Sequence, residues 1–157
     1  MRYLNKNNLF TMSTGVRIED NVVTAYNDLK LKHDSRYLVL GMDDDDKPKN
    51  VVLKEAGKKE NGDFTYESLL EKIKTECPTV PRYIVFDFAY KTDDGDRNKI
   101  VFIAWIPDRA KVKHKMVYAG TQSEVKKKLN GLQIEIQGTD FSEIDEQTIL
   151  AKCLSYK

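Results

Sequence analysis

"KIVFIAWIPDRAKVKHKMVYA", residues 99 to 119, reads first as a strand and then as a helix. Its opening "KIVFIAWI" (99–106) is β-branched and aromatic with little polar alternation, the pattern of a central strand buried on both faces. From Lys111 to Gly131 the chain steps at about 3.6 residues per turn, gathering Val117, Tyr118, Thr121, Val125 and Leu129 on one inward stripe. The opposite stripe runs Lys113, Met116, Gly120, Ser123 and Lys127, small residues and one thioether set between lysines. That is a low surface with charged edges. Periodicity alone leaves open whether it meets a partner or only solvent.

The flanking sequence alternates in the same way. Asp20 is placed to cap a helix over 21–32, whose Val22, Val23, Tyr26 and Leu29 fall at helical spacing. "RYLVLGM" (36–42) and "NVVLKEA" (50–56) are strand-like, and "DDDDKPKN" (43–50) between them suits a solvated hairpin loop, because adjacent carboxylates repel and proline cannot pair in a sheet. A second helix follows at about 65–76. "RYIVFDFAY" (82–90) is another central strand, joined to the first by the turn "TDDGDRN" (92–98). "LQIEIQG" (132–138) is a short alternating strand, and "DFSEIDEQTILAKCL" (140–154) a last helix capped by Asp140 or Ser142. The order αββαββαβα predicts one α/β domain, a central mixed β-sheet with helices packed on both faces.

Composition excludes several functions. A chain of 157 residues fits one domain with a conventional core, and 26 basic against 25 acidic residues leave a net charge of +1, so no global field draws it to nucleic acid. Cys77 and Cys153 are too few for a disulfide framework; both read as small core hydrophobes, and no Cys/His spacing matches a zinc site. No apolar run reaches the length of a membrane span, and "MRYLNKNNLFT" (1–11) lacks the centre of a signal peptide. A soluble cytoplasmic protein is expected. Residues 1–11, ahead of Met12, read as a disordered extension or an early-assigned start, the second preferred, with the folded domain spanning 12–157.

Three separated stretches then carry a resemblance. "AYNDLKL" (25–31), "KIVFIAWIPDRAKVKHKMVYA" (99–119) and "GTDFSEI" (138–144) resemble, in the right order, the ADF/cofilin family of actin-depolymerising proteins. The similarity runs from about Met12 to Leu150. It is dense after Arg82 and thin across 42–80, where the acidic loop and "GKKENGD" (57–63) are particular to this chain.

The resemblance implies a cofilin-like fold and an actin-binding protein, without cofactor or metal, that binds monomers and filament sides and promotes severing and depolymerisation. In the family the long helix lies in a cleft of actin, and its contact positions fall here on Lys113, Lys115 and Met116, with Gly120 and Ser123 allowing close approach. The arm "MSTGV" (12–16) resembles the family's N-terminal contact, placing Ser13, Thr14, Gly15 and Val16 beside that helix. Thr14, or Ser13 before it, occupies the position of regulatory phosphorylation, though threonine stands where relatives carry serine. Filament-side contact falls on Arg97, Lys99 and Lys152; Ala151, Leu154 and Ser155 depart from the family's charges there. Phosphoinositide headgroups would compete for Lys113, Lys115 and Lys127. A monomer associated with the cytoskeleton is implied.

Enzyme readings are weak. There is no Gly-rich phosphate loop, nucleophile elbow or zincin pair, and neither "DDDD" nor "TDDGD" has the ligand spacing of a calcium loop. His114, on a lysine-rich helix, reads as a surface residue. The alternatives are an ADF-homology protein that binds actin or an actin-related complex without severing, and, further off, a small metal-dependent enzyme using the aspartate loops.

Overall fold

The two longest strands fix the frame. In a computed structural model that describes 14–62 and 64–156, and the backbone of 2–4 and 10–12, β6 (Arg82–Thr92) and β7 (Gly95–Trp105) pair antiparallel from Arg82 opposite Trp105 to Thr92 opposite Gly95. Around them stand β3 (Arg17–Ile18), β4 (Ser35–Met42), β5 (Asn50–Lys58) and β8 (Ile134–Gly138). Among the described residues these six form one sheet in the order β3-β5-β4-β6-β7-β8. The outermost pairings, β3 with β5 and β7 with β8, are parallel and the inner three antiparallel, so the sheet is mixed as the sequence predicts. A separate antiparallel pair joins β1 (Arg2–Leu4) to β2 (Phe10–Met12). The expectation of an extension at 1–11 falls largely outside the described residues.

Side-chain alternation explains why the central strands lack polar gaps. Along β6, Tyr83 and Val85 point to one face and Ile84 and Phe86 to the other, and both faces are covered. On the first face α1 (Asp20–Lys32) and α3 (Val112–Lys128) bury Val22, Tyr26, Leu29, Tyr118 and Val125 against Leu38, Leu40, Tyr83 and Phe102. On the second, α2 (Tyr66–Glu76) and α4 (Glu146–Ser155) bury Leu69, Ile73, Ile149 and Cys153 against Tyr37, Phe86, Ile103 and Trp105. Cys77 ends α2 inside this second core, and its carbonyl accepts the Trp105 indole N–H at 2.9 Å.

Caps differ from expectation in two places. Glu19, not Asp20, precedes α1 and makes no side-chain cap; Asp20 begins the helix, where a carboxylate still favours the positive end of the dipole. Asp140 caps a separate 3-10 turn (Phe141–Ile144), and α4 is capped by Asp145, whose carboxylate accepts the Thr148 N–H at 2.8 Å. The "DFSEID" segment holds two capping signals in sequence, and only the second starts the helix.

Strand β4 pairs with β6 only as far as Phe86, and β8 with β7 only from Val101. From Phe88 opposite Lys99 outward to Thr92 opposite Gly95, β6 and β7 run on as a two-stranded ribbon. It touches the body through Phe88, buried at its root with its ring 5.8 Å from that of Tyr66, through Tyr90, whose hydroxyl lies 3.5 Å from the Cys153 carbonyl, and through Lys99, whose ammonium sits 4.8 Å from the centre of the Tyr156 ring.

Candidate functional site

The long helix presents the two sides its periodicity implies. Tyr118, Thr121, Val125 and Leu129 are buried and Val117 half-buried, while Lys113, Met116, Gly120, Ser123 and Lys127 are all exposed. The helix is shorter than the 111–131 stretch: Lys111 is its N-cap residue, Leu129 its C-cap, and the chain leaves through Gly131 at φ +95°. Lys126, Lys127 and Lys128 crowd the last turn, the favourable end of the dipole for cations.

Met116 is 68% exposed and Val112, four residues earlier on the same stripe, 67%. In sequence Val112 counts as one more apolar helix residue, and its four-residue spacing from Met116 is the signal that sets it on the outer stripe. Together they make an apolar strip flanked by Lys113 and Lys115. Lys115 curls back, its ammonium donating to the Asp108 carbonyl at 3.2 Å, and Lys127 pairs with Glu124 at 3.3 Å.

The arm lies against this helix. Thr14 and Thr121 hydroxyl oxygens are 2.8 Å apart; since Thr121 donates its proton to the Val117 carbonyl at 2.7 Å, Thr14 is the donor between them. A Cβ built on Gly120 would stand 3.0 Å from the Thr14 methyl, so the bare glycine makes room for the arm as well as lowering the helix surface. Gly15 follows at φ +73°, a left-handed conformation natural to glycine, and Val16 packs at the edge of the core. Ser13 lies outside the described residues.

One expectation fails beside this helix. His114 is buried, only 8% exposed, and its Nε2 is 2.8 Å from Asp46 Oδ1. The acidic loop is the expected solvated hairpin loop between β4 and β5, with Asp43, Asp44 and Asp46 exposed, and each of its carboxylates also holds the protein's own donors. Asp43 accepts the backbone N–H groups of Asp44, Lys49 and Asn50 at 2.9, 3.0 and 3.2 Å, which hold its carboxyl well down, at about 2. Asp44 accepts from the Asp46 and Lys47 N–H groups. Asp45 accepts the Tyr118 hydroxyl at 2.9 Å. The hydroxyl in turn accepts the Met42 N–H at 2.9 Å and an Arg82 N–H at 3.0 Å, and burial pushes the Tyr118 phenol upward. Such long-range partnerships leave no periodicity in sequence.

Arg97, Lys99 and Lys152 are not brought to α3. Arg97 and Lys99 stand on the ribbon and Lys152 on α4, across the sheet from the long helix. Arg97 and Lys152 are exposed. With Tyr156 and Leu154, 44% and 56% exposed, they form a second basic and apolar area.

A long basic helix beside a threaded N-terminal arm is one arrangement among many, and comparison with known proteins decides between them. The profile of the Cofilin/tropomyosin-type actin-binding protein family matches residues 15–154. The chain belongs to this family. Among relatives, Actophorin of Acanthamoeba castellanii is 38% identical over 137 residues, 87% of this chain and 93% of that one. Cofilin of Saccharomyces cerevisiae is 37% identical over 142 residues, 88% of this chain and 92% of that one. The crystal structure of Streptomyces griseoflavus Cofilin, 30% identical, superposes with a TM-score of 0.80 over 91% of this chain and all of that one. The cofilin-type match includes the long helix, the ribbon and most of α4, and begins at Gly15, one residue after Thr14. Among the described residues no helix is long and apolar enough to cross a membrane.

Proposed function

We propose that the protein binds actin monomers and filament sides and promotes filament severing and depolymerisation, through contacts rather than chemistry. The observation that carries this reading is the Thr14 arm docked beside Gly120 on a helix whose outer stripe, Val112, Lys113, Met116 and Ser123, is exposed. Flexible Met116 adapts to an apolar groove, the small residues let backbones approach, and the lysines meet an acidic rim. Ser13, Thr14, Gly15, Val16, Lys113, Lys115, Met116, Gly120 and Ser123 make the monomer contact. Arg97, Lys99 and Lys152 make the filament-side contact.

Regulation follows from the same geometry. A phosphate on Thr14 would replace a hydroxyl donor with acceptor oxygens opposite the Thr121 oxygen and add about two negative charges, breaking the link to α3 and repelling an acidic partner. Phosphoinositide headgroups would occupy Lys113, Lys115 and Lys127 in competition with actin. The protein acts as a monomer in the cytoplasm, on the cytoskeleton.

Co-sedimentation with filaments, titration of labelled monomers and direct imaging of severing test the proposal. Pelleting with saturable monomer binding and filament breakage is expected. Binding without breakage would favour a non-severing member of the fold, and absence of both would remove the proposal. A chain starting at Met12 is expected to bind actin at least as tightly as the full chain in the same titration, and weaker binding would make residues 1–11 a functional element.

A further inference from the structure

The first turn of α3 has no side-chain cap, since Lys111 at the N-cap position makes no such bond. Its leading N–H groups therefore gain nothing from the sequence immediately before them, and an uncapped turn is prone to fray. The residues proposed to meet actin, Lys113, Lys115 and Met116, lie in and just after this turn. Something else must hold it.

The loop between β4 and β5 does so at two points one helical turn apart. Asp46 reaches His114 and Asp45 reaches Tyr118, four residues on, at 2.8 and 2.9 Å. The loop is itself braced: Asp43 and Asp44 tie its backbone, Arg82 lies 3.5 Å from Asp45, and the Tyr118 hydroxyl is anchored to the Met42 N–H at the end of β4. His114 sits between Lys113 and Lys115 in sequence, so successive side chains at about 100° place the two lysines on either side of the clasped imidazole. The Asp46 carboxyl is held below the usual range, first by the His114 hydrogen bond and also by the charges of Lys111 and Lys113. It is ionised, so His114 Nε2 donates.

We propose that Asp45 and Asp46 are positioning residues of the actin-contact surface: through Tyr118 and His114 they clamp the first turns of α3 and present Lys113, Lys115 and Met116 in a single geometry. The proposal rests on the actin-binding reading above. It makes the stretch of the chain where resemblance to relatives is thinnest a determinant of how the shared surface is displayed. A rival role for Asp46 is electrostatic: its charge, near Lys111 and Lys113, would simply oppose an acidic partner, and its removal would tighten binding.

The test uses the full chain and four variants, D46A, H114F, the double variant and D46E. Two measurements are made: actin monomer titration at several salt concentrations, and amide hydrogen exchange of the free protein. D46A and H114F each remove the hydrogen bond and are expected to weaken binding about three- to tenfold, with the double variant no weaker than the worse single one, because the two act as one unit. D46E is expected to recover part of the loss seen in D46A. The salt dependence of log affinity should keep its slope, and amides 113–116 should exchange faster in D46A while those of β6 and β7 do not. Tighter binding by D46A with an altered salt slope, multiplicative losses in the double variant, or unchanged exchange at 113–116 would overturn the positioning role. Exchange is read without actin. If the unaltered protein fails to bind actin, the proposed function falls, while exchange still decides whether the loop holds the helix.

Discussion

Thr14 donates a 2.8 Å hydrogen bond to Thr121, and this bond ties the N-terminal arm to the middle of the long helix. The acceptor is buried and its own proton is engaged with Val117, so no other proton donor is needed to satisfy it. Replacing Thr14 by valine keeps the shape and removes the donor. Folding stability is expected to fall by about 0.5–1.5 kcal/mol, the net worth of one such bond, and monomer binding is expected to weaken because the arm is no longer held beside the helix. An unchanged titration curve would show that the arm's position does not matter to the partner.

Gly120 sets two effects against each other. Alanine there improves helix propensity by about 0.5–1 kcal/mol, yet its methyl would press on the Thr14 side chain at 3.0 Å. G120A should therefore unfold at equal or higher denaturant while binding actin monomers more weakly. Stability and affinity rising together would mean that the arm yields freely.

Lys113 is exposed and Lys115 half-buried, so neither contributes much to folding. Alanine at both is expected to cost about 1–4 kcal/mol of monomer affinity, as for residues at the centre of an interface, with the melting temperature nearly unchanged. Loss of affinity accompanied by a large drop in melting temperature would point to damage of the helix instead.

Arg97 and Lys99 lie on the ribbon, across the sheet from α3. The double alanine variant should lower filament pelleting more than monomer binding. Equal losses in the two assays would argue for one continuous surface.

Asp43 provides a pH signature. Its folded value of about 2 lies below the ordinary 3.8, because its carboxylate accepts backbone N–H groups that only the folded loop supplies. A depressed folded value means stability that is fully present above about 3.8 and is lost as pH falls toward 2. Denaturant unfolding of D43N and the unaltered protein between pH 5 and pH 2 should therefore converge at the acid end, whereas a constant gap would assign Asp43 no ionised role. The pH values bracket the window set by those two values.

Local pattern carried most of the fold. The strands "RYIVFDFAY" and "KIVFIAWI" and the amphipathic stripe of α3 announce themselves because their burial is periodic, and the small, basic outer stripe followed from the same count. What lay hidden depends on partners far apart in sequence. His114 reads as one more polar residue on a lysine-rich helix until Asp46, 68 positions away, is placed beside it. Four consecutive aspartates read as a solvated loop, and Asp43, Asp44 and Asp46 are exposed; the donors that folding gives each one are what the chain does not show. Val112 is hidden in sequence because valine in a helix is ordinarily counted toward the core, whereas here it is 67% exposed. The grouping of Arg97, Lys99 and Lys152 came from family resemblance, and their spacing in sequence gives no hint of it.

The ribbon formed by the outer halves of β6 and β7 behaves as a cantilever. A lone two-stranded hairpin is marginal in water, so its stiffness depends on whatever braces it near the root. At the root Phe88 is buried against Tyr66, and further out the brace is the C-terminal end of α4: the Cys153 carbonyl beside the Tyr90 hydroxyl, and the Tyr156 ring under the Lys99 ammonium. Arg97 near the tip and Lys152 on the brace therefore share one mechanical unit. Replacing Tyr156 by alanine would leave Arg97, Lys99 and Lys152 in the chain yet let the spacing between ribbon and helix drift, turning a rigid two-point grip into a loose one without deleting a single charge.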